Sequence, residues 1–138
     1  MRGKPVVAAW LGCLMLFTAC SGKSATSYSG TAKIAHALNS NGVACTGFVA
    51  STAGGHSTEG AAAPVPKGAK PLVEEAGTCS DGGSMLLLFT FKTTALRDRW
   101  LTLGKLYGSV VVGPNWTVTT RSKNLADRIS GAIGGDVQ

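Results

Sequence analysis

Histidine and acidic side chains, on which most catalytic and metal sites depend, are scarce in this sequence. Its 138 residues include two histidines and seven aspartates and glutamates. His36 is predicted on the solvent face of a helix, opposite Ile34 and Leu38, and His56 falls in a glycine-rich stretch. Two isolated histidines provide no zinc-ligand spacing, and the sequence has neither a clear Ser/His/Asp arrangement nor a phosphate-binding glycine loop. We therefore predict a non-enzymatic protein with no catalytic residue, metal ligand or cofactor.

The sequence also has no hydrophobic run long enough to cross a bilayer, which takes roughly 20 apolar residues. The uncharged run 6–19 is shorter and follows Arg2 and Lys4, an order typical of a secretory signal. Cys20 comes directly after it, and here the sequence resembles the bacterial lipoprotein signal, with Phe17 in place of the usual leucine. The resemblance implies cleavage before Cys20 and a lipid on its sulfur, which would hold the chain at the outer face of the cell membrane. The alternative is an ordinary signal peptide or an uncleaved anchor, with an incidental Cys20.

Few cysteines remain once a signal of residues 1–19 is removed. Cys13 leaves with the signal and Cys20 carries the lipid, so Cys45 and Cys79 alone remain. In an oxidising compartment two such cysteines are expected to pair. The sequence therefore predicts a Cys45–Cys79 disulfide.

The mature chain is only mildly basic. Two of the 13 lysines and arginines lie in the signal, which leaves 11 against 7 acids, a net charge of +4. Export favours membrane lipids or anionic wall polymers over nucleic acid as counterparts of this charge, and a solvated surface explains it better than either. The predicted partners are the membrane, through Cys20, and an unidentified envelope protein or ligand.

Composition divides the mature chain into a Ser/Gly-rich tether, residues 20–30, and one domain, residues 31–138. Residues 51–70 are rich in Gly, Ala, Ser and Pro without periodicity, which predicts a mobile surface loop. Periodicity and turn signals predict the order helix, strand, loop, strand, strand, helix, strand, strand, helix. The predicted strands are Val43–Ala50, Gly77–Ser80, Ser84–Phe91, Ser109–Val112 and Trp116–Thr120. The first helix is predicted at Thr31–Asn39, and the second is capped by Thr93 or Thr94 and has the apolar stripe Leu96, Trp100, Leu103 and Tyr107. The third helix is capped by Ser122 and directs Leu125, Ile129 and Ile133 inward. Together they predict an α+β fold, an antiparallel sheet with helices on one face.

A tight hairpin is predicted at Gly113-Pro114-Asn115, because proline presets φ for the first central position of a turn and asparagine suits the second. Trp116 then starts a strand and is expected to face the helices as a buried structural residue, with Trp100 as an aromatic neighbour. The alternative is an exposed tryptophan that contacts a ligand. Pro114, Asn115 and Trp116 therefore form a candidate binding hairpin.

Four segments, ACTGF, GTCSDGG, FTFKTTALRDRW and VVVGPNWTV, occur in this order between residues 32 and 118. In this order they resemble small secreted lipoproteins of high-GC Gram-positive bacteria and their phages, most of which have no known function. The resemblance implies no activity. The expected function is that of a membrane-anchored binding domain in the cell envelope. A more specific hypothesis is that the protein is encoded by a phage or prophage and excludes competing phages. The alternative is an envelope hydrolase that uses Asp98, Asp81 or His56.

Overall fold

The structure, a computed structural model, describes residues 23–52 and 72–138 of the chain. Three helices and six strands follow one another in the order α1, β1, β2, β3, α2, β4, β5, α3, β6. The helices are α1 (Thr31–Ser40), α2 (Thr94–Gly104) and α3 (Lys123–Ile133). The strands are β1 (Thr46–Thr52), β2 (Glu75–Asp81), β3 (Ser84–Thr90), β4 (Ser109–Val112), β5 (Trp116–Thr120) and β6 (Asp136–Val137). The sequence predicted this order up to α3, and β6 was missed because two residues are too few to show strand alternation.

The six strands form one sheet in the order β1-β2-β3-β5-β4-β6, and every neighbouring pair is antiparallel. The predicted α+β fold with an antiparallel sheet is therefore confirmed. Strands β4 and β5 form the predicted hairpin, in which the backbone N–H of Gly113 donates to the Trp116 carbonyl at 2.9 Å. Strand β6 pairs with β4 and is the last strand at that edge of the sheet.

The helices lie on both faces of the sheet, so the prediction that they share one face is wrong. Helices α1 and α3 pack with Leu86 and Leu88, whereas α2 packs on the other face with Phe89 and Val110. The reason is in β3, which presents Leu86 and Leu88 on one side and Leu87 and Phe89 on the other. A strand that is apolar on both sides needs a cover on each face.

Both tryptophans of the domain are buried, but the sheet separates them. Trp116 is 0% exposed, as expected for a structural residue, and its ring lies 5.8 Å from that of Tyr28. Trp100 packs on the opposite face against Phe89, with ring centroids 4.8 Å apart, and against Phe91. The expectation that Trp100 neighbours Trp116 is therefore wrong, because it assumed a single helical layer.

Two helices begin at the predicted capping residues. The Thr93 hydroxyl accepts a hydrogen bond from the Leu96 backbone N–H, and the Ser122 hydroxyl accepts one from the Leu125 N–H, both at 3.2 Å. Such caps satisfy backbone donors that have no partner inside the helix. Within residues 23–52 and 72–138, no helix combines the length and the apolar character needed to cross a membrane.

Helix α1 begins differently, because its N-cap residue is Gly30, which has no side chain to serve as a cap. Glu75 of β2 takes this role from across the structure. Its carboxylate accepts a hydrogen bond from the Thr31 backbone N–H at 2.9 Å and another from the Thr31 hydroxyl. A carboxylate at this position also interacts favourably with the helix dipole.

Several predicted boundaries differ from the structure; for example, β2 begins at Glu75 and not at Gly77, and β1 continues to Thr52, into the stretch predicted as a loop. Helix α2 ends at Gly104, so Tyr107 lies in the following turn and is 48% exposed instead of belonging to the buried stripe. The first strand begins at Thr46, and the buried Cys45 precedes it. The Asn39 side chain holds Cys45 there, since it accepts from the Cys45 N–H at 2.8 Å and donates to the Cys45 carbonyl at 3.3 Å.

Residues 23–30, which we call the linker segment, pack against the domain. Asn115 holds the backbone of Tyr28 at both polar groups, accepting from its N–H at 3.0 Å and donating to its carbonyl at 2.7 Å. The indole N–H of Trp116 donates to the Thr26 carbonyl at 2.8 Å. The described part of the predicted tether is therefore bound to the domain, which its Ser/Gly-rich composition did not indicate.

Candidate binding site

The residues that the sequence singled out do not meet in one site. His36 is exposed on α1, as predicted. Cys20, His56 and residues 53–70 of the predicted loop lie outside the described residues. In the part of the chain that the structure describes, no three His, Cys, Asp or Glu side chains are grouped to hold a metal ion.

The two acidic residues considered for hydrolysis are each paired with an arginine. Asp98 accepts hydrogen bonds from the neighbouring Arg97, the shorter at 2.7 Å. Asp81 lies at the β2–β3 turn, where the Arg128 guanidinium of α3 donates to it at 3.2 Å. The two carboxylates are also on different elements, so the fold gives no paired acid and base between them.

The predicted disulfide between Cys45 and Cys79 is present, with a Cα–Cα distance of 5.0 Å. It links the residue before β1 to the middle of β2, and the two cysteines are 5% and 3% exposed. Both belong to the hydrophobic cluster under α1 and α3. The disulfide therefore crosslinks the core and is not exposed as a reactive group.

The candidate binding hairpin is occupied by the protein's own linker segment. The polar groups of the Asn115 side chain bind the Tyr28 backbone, and Trp116 is buried beneath the same segment. Gly113 permits this packing, because a Cβ there would lie 2.0 Å from Cε2 of Trp116. The hairpin thus orders the chain upstream of the domain and offers no free tryptophan face.

An open cavity of about 690 Å³ lies at the opposite end of the sheet. We call this the far end, marked by the Gly82-Gly83 turn, Tyr107 and Arg121, and we call the end at Asn115 and Trp116 the linker end. The strand register separates them, since Asp81 pairs with Ser84 at the far end and Thr90 pairs with Trp116 at the linker end.

The cavity lies on the sheet face that α2 covers elsewhere. Leu87 of β3 and Thr119 of β5 are neighbours on this face and line the cavity, and Met85 and Tyr107 contribute further apolar surface to it. Helix α2 has ended at Gly104, before the chain reaches this region. The cavity therefore results from a helix that is too short to cover the whole sheet face.

The exposed apolar residues of the described chain gather at the far end. Leu106 is 79% exposed, Met85 60% and Tyr107 48%, and the structure shows no other large hydrophobic residue as exposed within residues 23–50 and 72–138. Single exposed hydrophobics need no explanation, but Met85 and Tyr107 line the same cavity, and exposed apolar residues around a cavity are typical of an interaction site.

The charge at this cavity is positive. Arg121 lines it, is exposed, and makes no ion pair with any residue that the structure describes. Asp81, at the neighbouring β2–β3 turn, is already paired with Arg128. The far end therefore combines apolar surface with an available guanidinium.

A second cleft, of about 800 Å³, lies at the linker end, but its cations are already engaged. Arg97 donates to the Gly113 and Pro114 carbonyls at 2.7 and 2.9 Å. Lys23 donates to the Asn41 side chain and to the Ala132 carbonyl, both at 2.7 Å. These groups stabilise the fold, which makes the far-end cavity the better candidate binding site.

This candidate site is not predictable from the sequence. Met85 continues the apolar run of β3, and Tyr107 matches the helical spacing of α2, so both were assigned to the core or left without a role. Their exposure depends on where α2 ends and on how the sheet is covered.

Comparisons with known protein families, with characterised proteins and with solved structures find no match for the chain. The function must therefore be argued from the residues and their arrangement.

Proposed function

We propose that this protein is a lipoprotein anchored through Cys20 at the outer face of the cell membrane, and that it acts there by binding another envelope component. The N-terminal sequence supports the anchor, with two basic residues, an uncharged run and a cysteine after small residues.

The observation that carries the extracytoplasmic location is the Cys45–Cys79 disulfide, which is part of the hydrophobic core. Disulfides form and persist in oxidising compartments and are rare in reducing ones. The mature chain has no other cysteine besides Cys20, which is consistent with a separate role for that residue. The far-end cavity supports a binding role, because it has an apolar lining and an arginine that makes no ion pair with any described residue.

Metabolic labelling with a clickable fatty acid tests the anchor. The wild-type protein and a Cys13→Ser variant are expected to take up label and to fractionate with membranes. A Cys20→Ser variant is expected to take up no label. Labelling that survives in Cys20→Ser, or disappears in Cys13→Ser, would contradict the proposed anchor.

A narrower form of the proposal is that the protein is encoded by a phage or prophage and excludes competing phages. It rests on the resemblance to small phage and bacterial lipoproteins described above. Expression of the full chain in a sensitive host is then expected to lower the plating efficiency of related phages, whereas Cys20→Ser should restore it. Equal plating on all strains would remove the exclusion role and leave the anchored binding domain.

A further inference from the structure

We propose that the far end of the domain docks another protein of the cell envelope, through an apolar side chain that enters the cavity and a carboxylate that pairs with Arg121. The docking surface consists of Met85, Leu106, Tyr107 and Arg121. The inference deepens the proposed function and depends on it for the location of the partner.

The first support is the composition of the docking surface. Protein interfaces are enriched in tyrosine, methionine and arginine relative to the rest of the surface. Tyrosine and arginine are also the residues at which substitution most often weakens binding, and methionine adapts to differently shaped partners. All three types surround this one cavity.

The position of Leu106 favours a protein over a small ligand. A small molecule that filled the cavity would cover Met85, Leu87 and Tyr107, which line it. Leu106 is 79% exposed but does not line the cavity, so a small molecule bound there would leave the Leu106 side chain in water. A protein partner is large enough to cover the cavity and also Leu106, which directly precedes the cavity-lining Tyr107 in the chain.

The charges indicate an acidic partner. Arg121 has no acidic partner among the described residues, and the exposed Lys105 lies directly before Leu106. The nearby carboxylates are engaged, Asp81 with Arg128 and Asp127 with Lys123. Complementary charges at the edge of an interface raise the association rate and select among partners.

An apolar and basic surface also suits a membrane, but the path of the chain argues against it. The linker segment passes Trp116 and Asn115 at the linker end, and the backbone of Lys23 lies beside Gly134. An anchor at Cys20 therefore approaches the linker end, and the docking surface at the far end is directed away from the lipid.

A random peptide library displayed on phage tests the proposal. The target is the full acylated protein in lipid nanodiscs, and empty nanodiscs remove lipid binders. Selected peptides are expected to share a large apolar residue with Asp or Glu within a few positions. Tyr107→Ala and Arg121→Ala should each weaken their binding roughly tenfold. Lys92→Ala, an exposed cation beyond the other end of β3, should leave it unchanged.

Charge reversal makes the test sharper, because Arg121→Glu is expected to shift the selected sequences from acidic to basic residues. The three substituted side chains, Tyr107, Arg121 and Lys92, are exposed, so matching melting curves should show that each variant is folded. Peptides without a common acid, or binding that ignores Tyr107→Ala, would overturn the docking surface. Binding of the Cys20→Ser protein to phosphatidylglycerol vesicles that requires Tyr107 would assign the surface to membranes instead. If the Cys20 labelling shows no lipid anchor, the same peptide selection is carried out on the immobilised Cys20→Ser protein, so that failure of the anchor and failure of the docking surface give different results.

Discussion

Both buried tryptophans depend on a glycine that leaves room for the indole ring. A Cβ on Gly104, one helical turn after Trp100, would lie 2.1 Å from Cζ3 of that ring, and Gly113 is related to Trp116 in the same way. Real Cβ atoms do not approach other atoms so closely, so the ring would have to move. These glycines are therefore required by packing and not by backbone conformation.

We predict that Gly104→Ala destabilises the domain by about 1–3 kcal/mol, the usual effect of overpacking a filled core. Alanine is the better helix former by about 1 kcal/mol, so helix propensity alone predicts the opposite sign. Gly131→Ala in α3 is the matched control, because a Cβ there meets nothing within 4 Å, and it should be neutral or stabilising. Urea unfolding of the two variants measures the difference. A Gly104→Ala protein as stable as Gly131→Ala would show that the ring can move without cost.

A second residue-scale prediction concerns Glu75, which caps α1 from another element. Glu75→Ala should lower the unfolding free energy by roughly 0.5–2 kcal/mol, as for loss of an N-cap. The adjacent Glu74 is exposed, and its side chain makes no hydrogen bond to the described residues, so Glu74→Ala should have little effect. Thermal melts followed by circular dichroism compare the pair, and equal melting temperatures would contradict the capping role.

The disulfide acts on a larger scale, because it ties the chain before β1 to the middle of β2 across a separation of 34 residues. In the chain-entropy model, closing a loop of this size contributes about 3–4 kcal/mol through the unfolded state. The double variant Cys45→Ala, Cys79→Ala should lose about this much stability in urea unfolding. Wild-type protein unfolded with a reducing agent should match the double variant, and a loss below about 1 kcal/mol would show that core packing alone holds these elements together.

The linker segment is an element without regular structure that is held by side chains of the β4–β5 turn region. Asn115→Ala removes two hydrogen bonds to the Tyr28 backbone. Since each such bond contributes about 1 kcal/mol, the Tyr28 amide should exchange with solvent roughly tenfold faster or more. Asn124→Ala, at an exposed position in α3, serves as the control. Unchanged exchange at Tyr28 would mean that the Trp116 bond to Thr26 suffices to hold the segment.

The whole molecule has two different ends, and the docked linker segment determines which end an anchor at Cys20 would hold near the membrane. Two residues separate Cys20 from Lys23, whose side chain is bound to Asn41 and to the Ala132 carbonyl. Because a residue extends the chain by at most about 3.6 Å, Cys20 can lie no farther than roughly 10 Å from Lys23. If Cys20 carries the proposed lipid, the domain should therefore lie close to the bilayer with the linker end towards it.

This orientation predicts unequal energy transfer from fluorophores at the two ends to labelled lipid headgroups. In the acylated protein reconstituted in vesicles, a fluorophore at Lys92→Cys, near the linker end, should transfer more efficiently than one at Asn124→Cys, near the far end. Both positions are exposed, which keeps the fold intact. Asn115→Ala should reduce the difference by releasing the segment. Equal transfer in the unaltered domain would mean that it tumbles freely above the membrane.

The sequence by itself determined the local features of this protein. The caps Thr93 and Ser122, the hairpin after Gly113, and the α+β order of elements follow from short-range rules of helix ends, turns and alternation, and the structure confirms them. The disulfide was predictable because the expected signal peptide and lipid attachment would account for Cys13 and Cys20 and leave only Cys45 and Cys79.

Only the tertiary structure decided how the elements are arranged and what they leave exposed. Periodicity shows that β3 is apolar but not that α2 covers one face while α1 and α3 cover the other. The long-range partners of Glu75 and Asn115, and the exposure of Leu106, depend on residues far away in sequence. Burial and hydrogen bonding across such separations result from the packing of the whole chain, which no local pattern encodes.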